Sequence, residues 1–340
     1  MRYENLSVNH FEVNTINGYL ASTLGLGPGM GNVVYLTPAD ASTARYKSWL
    51  EANGVEGDHI FTTLPTAYAA LTACRNDVLC VLPGTYTQTA KVTWAKDSTH
   101  MIGLGSPNQR IPATAGTAGN VYFPCTTAMT ELFLITGHHV VFANVSTYLS
   151  TATGVADVRT QGRNITLKNM FMKGGQDATQ LASAVLGYAL YVDGSAAGYS
   201  NALTVQDCHI GDPRNTIRTA GGMIYMTGAA QGNNSAGVEF RNDVISGWSH
   251  TAACSAVFQT GNFATGFYTL WDDCIFYNHY TNYAAILTQV FTDTSGTGHT
   301  NLLTGKTAQY GWTGWTNLAA AMFIGMPTSS TTGGTMITAT

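Results

Sequence analysis

The residues best placed for chemistry are two aspartates, Asp243 and Asp273, each just beyond a short alternating stretch in the second half of the chain. Glycosidic cleavage needs two carboxyl groups, and a separation of about 5 Å serves a mechanism with a covalent intermediate. If the stretches that carry them lie over one another, adjacent strands bring the two carboxylates to about 5 Å. Solvated carboxylates on neighbouring strands would show the same spacing, so the geometry alone does not make them catalytic. The other acids that could take part are Glu131, Asp157, Asp193, Asp207, Glu239 and Asp272. Asp207 and Asp272 occupy a place that elsewhere holds asparagine. A proton-transferring acid cannot be exchanged for an amide, so both read as turn residues.

The elements that must position these groups are five alternating segments. Ile165-Thr166-Leu167-Lys168-Asn169 is the clearest, and Val140–Asn144, Leu203–Asp207, Val238–Asn242 and Tyr268–Asp272 repeat it. Alternation of apolar and polar residues predicts strands with one buried face. The closing Asn or Asp predicts a bend, because its short side chain bonds nearby backbone and tolerates left-handed φ. Three copies match Met172 with an aliphatic residue three places on, at Ile210, Ile245 and Ile275, while the Val140 copy has Thr147. The spacings are 25 (144 to 169), 38 (169 to 207), 35 (207 to 242) and 30 (242 to 272). A conserved strand with loops of varying length describes stacked coils, and Asn144, Asn169, Asp207, Asn242 and Asp272 are the expected ladder.

Composition narrows the function classes. Charged residues are 10% of the 340, against about a quarter in an average soluble protein, and hydrophobic residues are 45%. That is a β-rich, turn-rich chain rather than a disordered one. A net charge of -4 without any Lys/Arg cluster gives no footprint for nucleic acid. No apolar run is long enough for a membrane helix, and the first residues lack the apolar core of a secretory signal. The six cysteines have no metal-ligand spacing and read as free, buried thiols, with a Cys74–Cys80 bridge as the alternative. The close histidine pair, His138 and His139, would point to opposite faces of a strand and cannot chelate one ion. No cofactor or metal is expected.

Taken in order, residues 1–32 read as an arm ending in a Gly-rich hinge, and 33–62 as a strand and helix leading in. Ser42 or Thr43 caps a first helix that stops at Asn53-Gly54. Thr63 and Pro65 open a second, with Ala67, Tyr68, Leu71 and Cys74 on one face. An apolar strand then ends in Pro83-Gly84-Thr85-Tyr86, followed by Ile102-Gly103-Leu104-Gly105. This entry resembles that of the right-handed parallel β-helices of the pectin-lyase-like superfamily, over roughly residues 60–290. The resemblance implies an all-β, single-stranded right-handed parallel β-helix over 63–290, its open end plugged by the second helix, with 291–340 as a capping or interaction segment. The calcium-dependent members use clustered Asp ligands with an Arg base, and Arg159, Arg163 and Arg241 have no compact acidic set beside them.

The fold serves lyases, hydrolases, adhesins and virus appendages alike, so it says little about activity. The absence of a catalytic constellation and the likeness to bacteriophage β-helix proteins lead to the expectation of a structural virion protein. It would decorate a capsid or build an appendage as a homo-oligomer, contacting other virion proteins through its terminal arms. A tailspike-like polysaccharide-degrading enzyme, or an adhesin that holds a surface glycan through its abundant Tyr and Trp, is the alternative.

Overall fold

In the computed structural model the described residues are 31–40, 43–105, 121–125, 127–194, 202–211, 217–228, 237–249, 253–260, 268–279, 289–293, 300–315 and 323–324. The arm up to residue 30 and the chain after 324 lie outside them. From Asp77 onward each strand pairs with strands a full circuit away, and every pairing is parallel. Three sheets result, of 11, 8 and 7 strands among the described residues. The chain visits them in strict rotation. Thr166–Lys168 in sheet 1 is followed by Phe171–Met172 in sheet 2 and Tyr188–Gly194 in sheet 3. The next circuit repeats this with Thr204–Gln206, His209–Ile210 and Ile224–Gly228.

Alternation explains why the sheets face one another. In sheet 1 the register aligns Met101, Phe142, Leu167, Val205, Phe240, Trp271 and Leu303 in one inward column. Phe133 from sheet 3 meets Phe142 of sheet 1 and Phe123 of sheet 2, each with ring centroids 5.4 Å apart. One apolar core is thus shared by all three sheets, and parallel strands are stable here because that core covers their inner faces.

The bend between sheets 1 and 2 is where the ladder residues act. Asn144, Asn169, Asp207 and Asn242 all have φ between 50° and 58°. Asn169 Nδ2 donates to Asn144 Oδ1 at 2.8 Å, and Asn242 Nδ2 donates to Asp207 Oδ1 at 2.7 Å. The fifth member is not Asp272. Asp272 pairs with Arg241, the last residue of its strand, and the left-handed residue is Asp273, with φ 53°. Gly305 continues the column one rung further with φ 64°. The alternating stretch containing Asp272 is one residue longer than the others, and only the pairing reveals it. The same shift moves the core position from Ile275, which is exposed, to Phe276, which is buried and registers with Ile245.

Replacing Asn169 by valine should cost about 2 kcal/mol, because a β-branched residue resists left-handed φ and the amide bond is lost as well. Asn169→Gly should cost under about 1 kcal/mol, since only the amide bond disappears. Urea denaturation of the two variants checks the order, and equal losses would remove backbone strain as the reason for asparagine.

Two helices precede the first full circuit of the stack. Helix α1 spans Thr43–Ala52 and stops before Gly54, which has φ 82°. Helix α2, Leu64–Ala70, buries Leu64 and Ala67 and lays Tyr68 on Trp94 with centroids 4.6 Å apart. It is shorter than the periodicity suggests. Lys96 Nζ donates to the carbonyls of Tyr68, Ala69 and Leu71 at its end, and Cys74 sits beyond it, exposed, with φ 61°. The other five cysteines are buried, and all six are free. Stacking runs past residue 290: Thr300–Thr304 and Phe323–Ile324 extend sheet 1, and Ala308–Tyr310 extends sheet 2. Trp315 packs on the core in the last described circuit, against Phe276 at 5.8 Å and Phe291 at 6.2 Å.

Candidate functional site on the outer face of sheet 3

Asp243 and Asp273 do not share a face. Asp273 is the exposed bend residue, and its Oδ1 accepts from the Lys306 N–H at 2.6 Å. Asp243 lies one residue past its bend and is fully buried, accepting from the backbone N–H groups of Cys208 at 2.7 Å and Arg241 at 3.1 Å. Burial drives the Asp243 carboxyl well above the usual carboxylate range, although these two donors pull it back. The register that predicts stacked carboxylates fails by one residue, for the reason given for Asp272.

Asp243 belongs instead to a second, inner ladder. The N–H just past each bend points at the side chain of the next rung. Met170 N–H donates to Cys208 Sγ at 3.4 Å, Cys208 N–H to Asp243, and Cys274 N–H to Thr307 Oγ1 at 3.1 Å. The Asp243 N–H meets Cys274 in the same way. Such N–H groups face the dry interior and need an acceptor. Small acceptors directly after the bend (Cys208, Asp243, Cys274) were the available sequence signal for this role. Asp157 acts alike at another corner, where Thr147 Oγ1, Leu149 N–H and Gly174 N–H donate to it at 3.1, 2.9 and 3.0 Å. That accounts for Thr147 in the position that other copies fill with an aliphatic residue.

Burial pushes the Asp157 carboxyl up to about 7, the hydrogen bonds offsetting part of it. Its unfolded value is about 3.9, so the folded state holds the proton more tightly. This contribution to stability is complete below about pH 4 and is lost as pH rises to about 7. Asp157→Asn should flatten the change of melting temperature across that window. It should also be less stable than the parent at pH 4, because its amide nitrogen confronts N–H donors. An unchanged pH slope in the variant would show that Asp157 does not titrate there.

The remaining acids gather on the outer face of sheet 3. Arg159 Nη1 donates to Glu131 Oε1 at 2.7 Å, while Nε and Nη2 donate to Asp193 Oδ2 at 2.9 and 2.6 Å. Gln161 Nε2 donates to that same oxygen at 2.6 Å, and the Thr227 hydroxyl donates to Oδ1 at 3.1 Å. Lys91 stands 3.5 Å from Glu131. Burial acts to raise the Glu131 carboxyl, but the Thr130 hydroxyl, the Arg159 hydrogen bond and the charges of Arg159 and Lys91 hold it below its ordinary value. An aromatic row continues from Arg159 in register: Tyr191, Tyr225 and Phe258. The guanidinium lies 4.7 Å from the Tyr191 ring centroid, and Tyr225 lies 4.7 Å from Tyr191 and 4.8 Å from Tyr188. Beneath Tyr188, the buried Arg218 donates to the carbonyls of Leu186 and Ala220 at 3.2 Å and to that of Gly187. The outer face therefore presents aromatic edges and a neutralised ion network. Its carboxylates are acceptors already engaged by a cation, which suits recognition or rigidity more than proton transfer.

Of the other residues named from sequence, Glu239 pairs with Arg241 at 2.9 Å on the surface, and Arg241 also lies 3.8 Å from Asp272. His138 Nδ1 accepts from the Arg163 N–H at 3.0 Å, and His139 has φ 56°. The pair thus sits at a turn rather than within a strand. Glu56, Asp58 and His59 bring one ligand atom each within 4.8 Å of one another. Two of the three are exposed, and exposed acidic groups meet in this way without an ion.

Comparison with solved structures yields an Escherichia coli protein, YbhC, at a TM-score of 0.50 and 14% identity, covering 84% of this chain and 73% of that one. The chain is a parallel β-helix. Two further likenesses to this β-helix are looser. A pectin methylesterase mutant in complex with a hexasaccharide aligns at a TM-score of 0.44 and 11% identity, covering 87% of this chain and 95% of that one. ORF18 of Geobacillus virus E2 aligns at 0.35 and 14%, covering 95% of this chain and 63% of that one. No protein-family model matches the sequence of the β-helix, and a search of curated proteins finds no match. Among the described residues no helix is long and apolar enough to cross a membrane.

Proposed function

We propose that this β-helix is a non-catalytic structural subunit of a virus particle, a capsid decoration or appendage component of a tailed bacteriophage that assembles as a homo-oligomer. The observation that carries the structural part is how the carboxylates are used. Asp157 and Asp243 hold backbone corners from inside, Glu131 and Asp193 are tied to Arg159, and Asp77 is tied to Arg75 at 2.6 Å. Each is committed to the fold, and no two of them face one groove as an uncompensated acid and base. The particle context rests on an analogy of architecture with phage β-helix proteins. The low surface charge supports close packing, since neighbours can then meet without burying unpaired ions. Residues 1–32, and those of 291–340 that do not belong to the coil stack, are the parts assigned to contacts with other virion proteins.

Quantitative mass spectrometry and antibody labelling of purified particles test this reading. A fixed copy number at one location is expected, and loss of residues 1–32 should release the subunit. Absence from particles would overturn it. Depolymerisation of a capsular polysaccharide, abolished by Asp273→Asn or Asp193→Asn in a folded protein, would replace it with the enzymatic alternative.

A further inference from the structure

At the N-terminal end of the stack, a cleft of about 690 Å³ separates α2 from the first circuit of the coil. That volume lies within the range of small-ligand sites. One wall is the segment from Thr85 to Thr93, where alternate residues differ sharply. Tyr86, Gln88, Val92 and Trp94 are buried, whereas Thr87, Thr89, Lys91 and Thr93 are exposed, and all of these but Trp94 line the cleft. The wall is held rigidly from behind. The Tyr86 hydroxyl donates to the carbonyls of Leu36 and Leu82 at 3.0 and 2.6 Å, and Gln88 Nε2 donates to the Tyr86 carbonyl at 2.8 Å. The opposite wall presents Thr62, Thr63, Pro65 and Tyr68 from the start of α2.

Two features specify what the cleft suits. First, the hydroxyls of Thr62, Thr85, Thr87, Thr89 and Thr93 have no hydrogen-bond partner among the described residues. Each can donate and accept. Thr85 lies in the sheet 2 strand Gly84–Thr85 and Thr93 in the sheet 3 strand Val92–Trp94, so the row of hydroxyls follows the chain around the corner between the two sheets. Second, the lining carries no acid, and its one cation, Lys91, already faces Glu131 at 3.5 Å. A phosphate or uronate would find no unspent positive charge there. Donor–acceptor hydroxyls along this corner, with the apolar surfaces of Pro65 and Tyr68 opposite, match vicinal hydroxyls and C–H faces of a sugar chain. We infer that this cleft binds a neutral oligosaccharide at the edge of sheet 3, four strands away from Tyr225.

Isothermal titration of the full chain with maltohexaose, cellohexaose and xylohexaose, and with hexagalacturonate as the anionic comparator, tests the inference. At least one neutral hexasaccharide should bind, and the anion should not. The double substitution Thr87→Val and Thr89→Val keeps the branched shape and strand preference while deleting two hydroxyls. It should weaken binding about tenfold or more with the melting temperature unchanged. Tyr225→Ala, on the sheet 3 face, should leave the affinity as it was. The inference fails if no neutral hexasaccharide binds at millimolar concentration or if hexagalacturonate binds more tightly. It fails equally if affinity is lost with Tyr225 rather than with the two threonines.

Discussion

Arg159→Ala is expected to destabilise the protein by about 3 kcal/mol, because it leaves the buried Asp193 carboxylate without its cation and Glu131 with Lys91 alone. The side chain of Asp193 is fully buried and that of Glu131 nearly so, while the Arg159 side chain keeps 24% exposure. That partial exposure places the effect at the lower end of the range for broken buried pairs. Adding Glu131→Gln and Asp193→Asn to Arg159→Ala should recover much of the loss, since neutral amides can remain buried with fewer demands. A denaturant series on the single and triple variants reads this directly. Rescue by the amides is the signature of a structural ion network. If the single variant kept its stability and lost a measurable glycan-processing activity, the outer face of sheet 3 would be a catalytic site instead.

Trp271→Ala should cost more, about 4 kcal/mol, because it opens a cavity where three sheets meet. Its ring stacks on Phe240 at 4.1 Å and contacts Phe276 and Phe291 at 5.3 Å, and Nε1 donates to Asn301 Oδ1 at 2.9 Å. The stranded Asn301 oxygen adds to the lost packing, although Gln259 Nε2 at 3.3 Å partly satisfies it. Trp271→Phe should restore over half the loss by refilling the stack without the indole hydrogen bond. Thermal unfolding of both variants checks the order, and a change under about 1 kcal/mol in Trp271→Ala would contradict the shared core.

How far the chain could be read in advance varies with the range of the interaction. The bends at Asn144, Asn169, Asp207 and Asn242 were legible, because a polar residue that accepts φ near 55° leaves its mark on one position of each copy. Helix α2 was legible from Thr63 and Pro65, which shape a helix start within a few residues. The extra residue before Asp273 was not legible. Alternation looks the same whether a strand ends at its fourth or fifth residue, and only the partner strand sets the register. Asp243, directly after its bend, faces the interior, and the slip of one place left Asp273 at the bend on the surface.

The pairing of Glu131, Arg159 and Asp193 is a stronger case, since they are 28 and 34 residues apart in the chain and come from successive rungs of sheet 3. Nothing near any of the three announces the others. By itself the sequence determined the repeated strand, the bend that ends it and the stacking these imply, because those are properties of a few adjacent dihedrals and a local apolar pattern. The tertiary structure alone decided which acids are buried, which are neutralised and which reach solvent. A carboxylate's chemistry depends on the donors and cations within about 4 Å, and in a stack of coils those come from the neighbouring rung.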